Sequence, residues 1–115
     1  MDENEDHVTV AQAKSAPLSP GRRSSLLMQR GSMSLRWFAP RGEDVQTPHD
    51  QDEIYIVMNG SGILNNGGAQ TVFGPGDVLF VPAGREHKFE SFSDNLDLWV
   101  VFWGPKGGEE ILAEQ

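Results

Sequence analysis

Between Ser24 and Gly104 the chain is cut at short intervals by turn-forming residues, and the segments between cuts are of strand length, not helix length. Pro40 and Gly42, Pro48, Asn59-Gly60, the run Asn65-Asn66-Gly67-Gly68, Gly74-Pro75-Gly76, Pro82 with Gly84, Ser93-Asp94-Asn95 and Gly104-Pro105 all fall in this region. Such punctuation leaves room for short extended segments and little else. The segments it predicts are Ser24–Arg30, Met33–Phe38, Glu53–Met58, Ser61–Leu64, Ala69–Phe73, Val78–Val81, His87–Phe92 and Leu96–Trp103. The Asn-Asn-Gly-Gly run is a hairpin signal, because its two-residue turn demands positive φ. Many short strands with frequent turns predict an all-β fold, a barrel or two-sheet jelly roll. The 115 residues suffice for one domain.

The ends differ in texture. Residues 1–23 are expected to form an arm: a short helix through Val8, Val10, Ala11 and Ala13 capped by Asp6, then a loop broken by Pro17, Ser19, Pro20 and Gly21. Asp2, Glu3, Glu5 and Asp6 make a solvated, acidic start. Residues 24–106 are assigned to the β domain. Residues 107–115 are assigned to a polar tail, with a short helix around Glu109–Ala113 as one possibility.

Two strands are apolar on both faces. In Glu53–Met58, Tyr55 and Val57 oppose Ile54, Ile56 and Met58; in the last strand Leu96, Leu98, Val100 and Phe102 oppose Trp99, Val101 and Trp103. An isolated small barrel wets one face of each strand. Something must therefore cover this outer face, either the arm or a second subunit, and a homodimer is expected.

Composition narrows the chemistry. With 17 acidic against 9 basic residues and a formal charge of −8, nucleic acid is a poor partner. The absence of cysteine removes disulfides, thiolate metal sites and thiol nucleophiles. No apolar run reaches the roughly 20 residues of a membrane helix, and the acidic start is unlike a secretory signal, so a cytoplasmic protein without membrane contact is expected. Any metal must be held by nitrogen and oxygen.

Of three histidines, His7 lies in the arm, whereas His49 and His87 each sit beside turn residues at the head of a strand. His49, Gln51, Glu53, Tyr55 and Val57 share a parity and point one way if the strand begins early enough. A carboxylate such as Glu53 heading an apolar face is costly unless paired, protonated or bound to a metal. His87, Phe89 and Ser91 share the inward face of their strand, and Lys88 and Glu90 point out. Asp50 and Asp52 are expected in solvent. Arg36 is open to two readings, a surface residue or an anchor for a substrate carboxylate.

The stretch Thr47-Pro48-His49-Asp50-Gln51-Asp52-Glu53-Ile54-Tyr55-Ile56-Val57-Met58-Asn59-Gly60 resembles the first motif of the cupin family, HxHxxxExxxxxxG, with His49, Glu53 and Gly60 in register. Gly76, Pro82, Gly84 and His87 match the second, GxxxxxPxGxxHxxxN. Thr47 replaces the first motif's leading His, and Ser91 the second motif's Asn. The resemblance implies a cupin-type jelly-roll barrel around one divalent metal ion (Fe, Mn, Zn, Ni or Cu), held by His49, Glu53 and His87. Two His and one carboxylate suit the facial triad of non-haem iron and the ligand set of catalytic zinc. The competing possibility is a lost metal site, with both histidines hydrogen-bonded at the barrel mouth. Gln51 is a candidate fourth ligand or hydrogen-bond partner. Tyr55 is a candidate proton relay, or a core aromatic with a satisfied hydroxyl; these two are the expected catalytic residues. The family includes metal-dependent dioxygenases, isomerases and lyases, so the resemblance implies such an enzyme acting on a small organic molecule. The alternative is a non-catalytic module that binds or senses a small molecule.

Overall fold

The computed structural model describes residues 6–18, 20, 22–44 and 46–112. The acidic residues Asp2, Glu3 and Glu5 lie outside this set. Eight strands follow one short helix: α1 (Val10–Ser15), β1 (Ser24–Arg30), β2 (Met33–Phe38), β3 (Asp52–Asn59), β4 (Gly62–Asn66), β5 (Ala69–Phe73), β6 (Val78–Val81), β7 (His87–Phe92) and β8 (Asp97–Trp103). They build two antiparallel sheets, in the orders β1-β2-β8-β3-β6 and β5-β4-β7. The architecture is a two-sheet jelly roll whose hydrogen-bond ladder does not close into a continuous barrel.

The period-two pattern selects the inner faces. In the larger sheet Phe38 pairs with Leu98, Tyr55 with Val100 and Leu79, and Val57 with Leu98. These residues meet Leu64, Phe73 and Phe89 of the smaller sheet in one core. The β4–β5 hairpin turns on Gly67 and Gly68, whose φ values of 66° and 98° are those a two-residue turn requires. Gly60 follows β3 at φ 89°, and a Cβ there would stand 2.7 Å from both Leu96 Cα and Ser93 Oγ, so only glycine lets these segments meet.

Three register shifts break strict alternation: in β1 near Leu27, in β3 near Met58, and in β7 opposite Ile63 and Leu64. The last overturns one expectation. His87 and Phe89 face inward, but the shift reverses parity, so Ser91 is exposed and Phe92 packs on the core.

The arm forms a helix shorter than expected. Thr9, not Asp6, caps it: Thr9 Oγ1 accepts the Gln12 N–H at 3.1 Å and Gln12 Oε1 accepts the Thr9 N–H at 2.7 Å. This reciprocal box outcompetes a lone aspartate three residues upstream. The helix buries Ala13, and the nearby Trp37 is buried too. The rest of the larger sheet's outer face, including Val78 and Phe80, stays open. At the other end residues 108–112 form no helix. Gly107 and Gly108, at φ 94° and 95°, redirect the chain, the Gly107 N–H donates to the Asp50 carbonyl, and the Glu109 N–H donates to Asp52 Oδ2 at 2.9 Å.

Candidate metal centre

Glu53, the second residue of β3, lies inward between Val81 and Phe102. Its side chain is 2% exposed. His87 opens β7 on the other sheet, and its imidazole is fully buried. His49 does not belong to β3, which begins only at Asp52. Its position comes from the preceding loop, whose His49 carbonyl accepts the Gly84 N–H at 2.8 Å. Strand parity therefore does not orient His49 or Gln51, as the sequence had suggested.

The three side chains converge, with one candidate ligand atom from each lying within 4.8 Å of the others. His49 Nε2 is 2.7 Å from Glu53 Oε1, and His87 Nε2 is 3.3 Å from the same oxygen. Each ring is held from behind: His49 Nδ1 donates to the Gln51 carbonyl and His87 Nδ1 to the Arg85 carbonyl, both at 2.9 Å. A carbonyl only accepts, so both Nδ1 atoms carry hydrogen and both Nε2 atoms turn toward Glu53. The distance from His87 Nε2 to Glu53 is short, but the alignment is wrong for a hydrogen bond, and this buried nitrogen has no partner. Two Nε2 atoms and a carboxylate oxygen around one point, one of them orphaned, are a donor set for a cation. The residues present fit a divalent metal ion.

The protein field agrees. Burial favours the neutral Glu53 acid, but contact with His49 and His87 and their charge outweigh it, and the carboxyl lies below its ordinary value of 4.5. Burial would lower His87, but contact with Glu53 and with the Arg85 carbonyl, and the Glu53 and Asp44 charges, place it above 6.5. Burial is also the main reason that the Tyr55 hydroxyl lies well above 10.0, with the Glu53 charge adding to it.

Tyr55 is fully buried beneath the centre, and its hydroxyl donates to Gln46 Oε1 at 3.0 Å. Gln46 in turn donates to Asp44 Oδ2 at 2.7 Å, and that oxygen also accepts the Phe89 N–H at 2.8 Å. Asp44 and Gln46 were missed from sequence because they sit in a loop without strand periodicity. Gln51 presents its backbone carbonyl to the site, while its side-chain nitrogen donates to the carbonyls of Ser32 and Gly104, both at 2.9 Å. Asp52 was expected in solvent but is buried, accepting the Ala83 N–H at Oδ1 (3.0 Å) and the Glu109 N–H at Oδ2. Asp50 is exposed, as expected. Thr47, where the family motif has its leading His, lines the mouth of a cavity of about 470 Å³ that leads to His49, Glu53 and Tyr55. None of the described helices is long and apolar enough to cross a membrane.

Residues 36–103 match the family model for the cupin domain. An uncharacterized protein of Streptomyces coelicolor is 43% identical over 63 residues, 55% of this chain and 60% of that relative, so the match spans less than two thirds of the relative's length. Among solved structures, an RmlC-like cupin from Shewanella frigidimarina superposes with a TM-score of 0.66 at 21% identity, over 90% of this chain and 94% of its own. A candidate mannose-6-phosphate isomerase from Ralstonia eutropha gives a TM-score of 0.63 at 24% identity, over 79% and 93%. At these identities the likeness is one of fold.

Proposed function

The chain belongs to the cupin domain family, and from that premise we propose that it holds one divalent metal ion on His49, Glu53 and His87 and acts there on a small organic molecule. The observation that carries the proposal is the orphaned, buried His87 Nε2 beside a carboxylate oxygen already facing a second imidazole. When bound, the metal supplies Lewis acidity or oxygen activation. The chain's own residues do the rest. The Gln51 and Arg85 carbonyls keep each Nε2 turned inward. Tyr55 stays protonated, a buried hydrogen-bond donor at the floor of the cavity, and is the candidate proton-handling residue. Gln51 acts by orienting His49. The mouth toward Thr47 leaves room for a ligand.

Metal analysis of the purified protein beside His49→Ala and His87→Ala tests the site. About one ion per chain is expected, lost in both variants; equal and negligible metal in all three overturns it. Oxygen uptake by the iron-loaded protein over small diols, phenols and amino acids then tests turnover. Binding without turnover would make this a sensing module.

We also propose a homodimer through the outer face of the larger sheet. Ile54, Ile56, Trp99, Val101, Val78 and Phe80 form cross-strand neighbours there, and Val78 and Phe80 are 60% and 49% exposed. Helix α1 covers only the Trp37 corner. A face this apolar matches a second copy of itself better than it matches water.

A further inference from the structure

Arg36 lies on the inner face of β2, opposite Val100, and is 7% exposed. A guanidinium is charged at every working pH, and burying one without an anion is costly. Its hydrogen bonds run from one nitrogen to Ser24 Oγ at 3.2 Å and to the Ser24 carbonyl at 3.4 Å, both neutral and both long. No carboxylate among the described residues pairs with it, nor with Arg22 or Arg23. Arg22 is close enough to Arg36 for their charges to repel.

These three arginines gather at one place. Arg22, Arg23 and Ser24 form one end of the cavity whose other end is His49, Glu53 and Tyr55, and Phe38, Val100 and Phe102 line its walls. Arg36 stands behind that arginine end through its contacts with Ser24. A chain of net charge −8 with only nine basic residues thus places two of them, Arg22 and Arg23, at the lip of one cavity and a third, Arg36, directly behind it. Arginine's planar fork matches a carboxylate, and repulsion within the cluster is relieved by an anion.

We propose that the cavity takes a small organic carboxylate, its anionic end held at Arg22 and Arg23 with the buried charge of Arg36 behind them, and its apolar body against Phe38, Val100 and Phe102. The opposite end of such a ligand meets the His49–Glu53–His87 centre; that part rests on the proposed function, whereas the anion subsite stands without a metal.

The test uses the full chain stripped of metal, titrated at low salt with benzoate and with the isosteric but neutral benzamide, and followed by amide chemical shifts. Benzoate is expected to move resonances of Ser24, Phe38 and Val100 and to bind at least tenfold more tightly than benzamide. Arg22→Gln, an exposed position that leaves the core intact, and Arg36→Met should each weaken benzoate by about tenfold and leave benzamide unchanged. If Arg36→Met fails to fold, Arg22→Gln decides. Equal binding of the two probes, or parental benzoate affinity in the folded variants, overturns the proposal. Metal content measured on the same proteins separates the two proposals: benzoate selectivity in a chain that never holds metal supports the anion subsite and defeats the metal centre. Metal binding without benzoate selectivity does the reverse.

Discussion

Asp50 and Asp52 are alike in sequence and opposite in structure, which makes them a matched pair for perturbation. Asp52 is 5% exposed and accepts two backbone N–H groups, from Ala83 and from Glu109. Hydrogen bonds to a charged acceptor contribute about 1.5–3 kcal/mol each. In Asp52→Ala the Glu109 N–H returns to water, but the half-buried Ala83 N–H loses its partner. The sum is about 3 kcal/mol, which in a domain of this size lowers the melting temperature by about 12 °C. Asp50 is exposed and reaches Lys106 only at 3.8 Å, so Asp50→Ala should stay within about 0.5 kcal/mol of the parent. Asp52 also anchors the loop in which Gly84 holds the His49 carbonyl, so Asp52→Ala should weaken metal binding by about tenfold, while Asp50→Ala should not. Urea melts of the metal-free proteins, followed by zinc titration, read both effects. Two variants of equal stability would refute the assignment of Asp52 as a clamp.

Three further outcomes follow from the same contacts. In metal-free protein, Glu53 has a lowered pKa, so its contribution is present above about 4.5 and lost as the pH falls through the lower folded value; His87 has a raised pKa, so its contribution is present below 6.5 and lost as the pH rises through the higher folded value. Unfolding curves should therefore show stability from this pair fading above pH 6.5 without metal but growing with pH when zinc is present, since zinc binds deprotonated ligands; parallel curves would count against the site. Gly60→Ala combines positive φ with contacts at 2.7 Å and should cost about 3 kcal/mol in a denaturant melt, against no change if the loop simply shifts aside. Phe80→Glu should turn a dimer into a monomer in sedimentation experiments, and a parent that sediments as a monomer at tens of micromolar would remove the basis for the interface.

Much of the architecture was legible in the sequence because alternation and turn chemistry are local. Gly67-Gly68 demands its hairpin whatever surrounds it, and β1, β2, β5, β6 and β7 have the bounds their turn residues imply. The convergence of His49, Glu53 and His87 was legible through motif spacing. What escaped depends on neighbours distant in the chain. Asp52 is buried because Ala83 and Glu109 come to it, and Ser91 turns outward because of a register shift set by β4. Asp44 and Gln46 lie in a loop, where period-two reasoning has nothing to count. Arg36 sits on the inner parity of β2, yet only packing shows that it is buried beside Ser24 and that no acid among the described residues pairs with it.

Glu53 rides on β3 of the larger sheet and His87 on β7 of the smaller, and no backbone ladder joins those two sheets into a closed ring. A cation gripped by both would act as a rivet through two plates that otherwise adhere by their greasy inner surfaces and a few side-chain hydrogen bonds. Its removal should let the plates part most easily at the mouth, with amide hydrogens at the start of β7 exchanging faster than those at its far end.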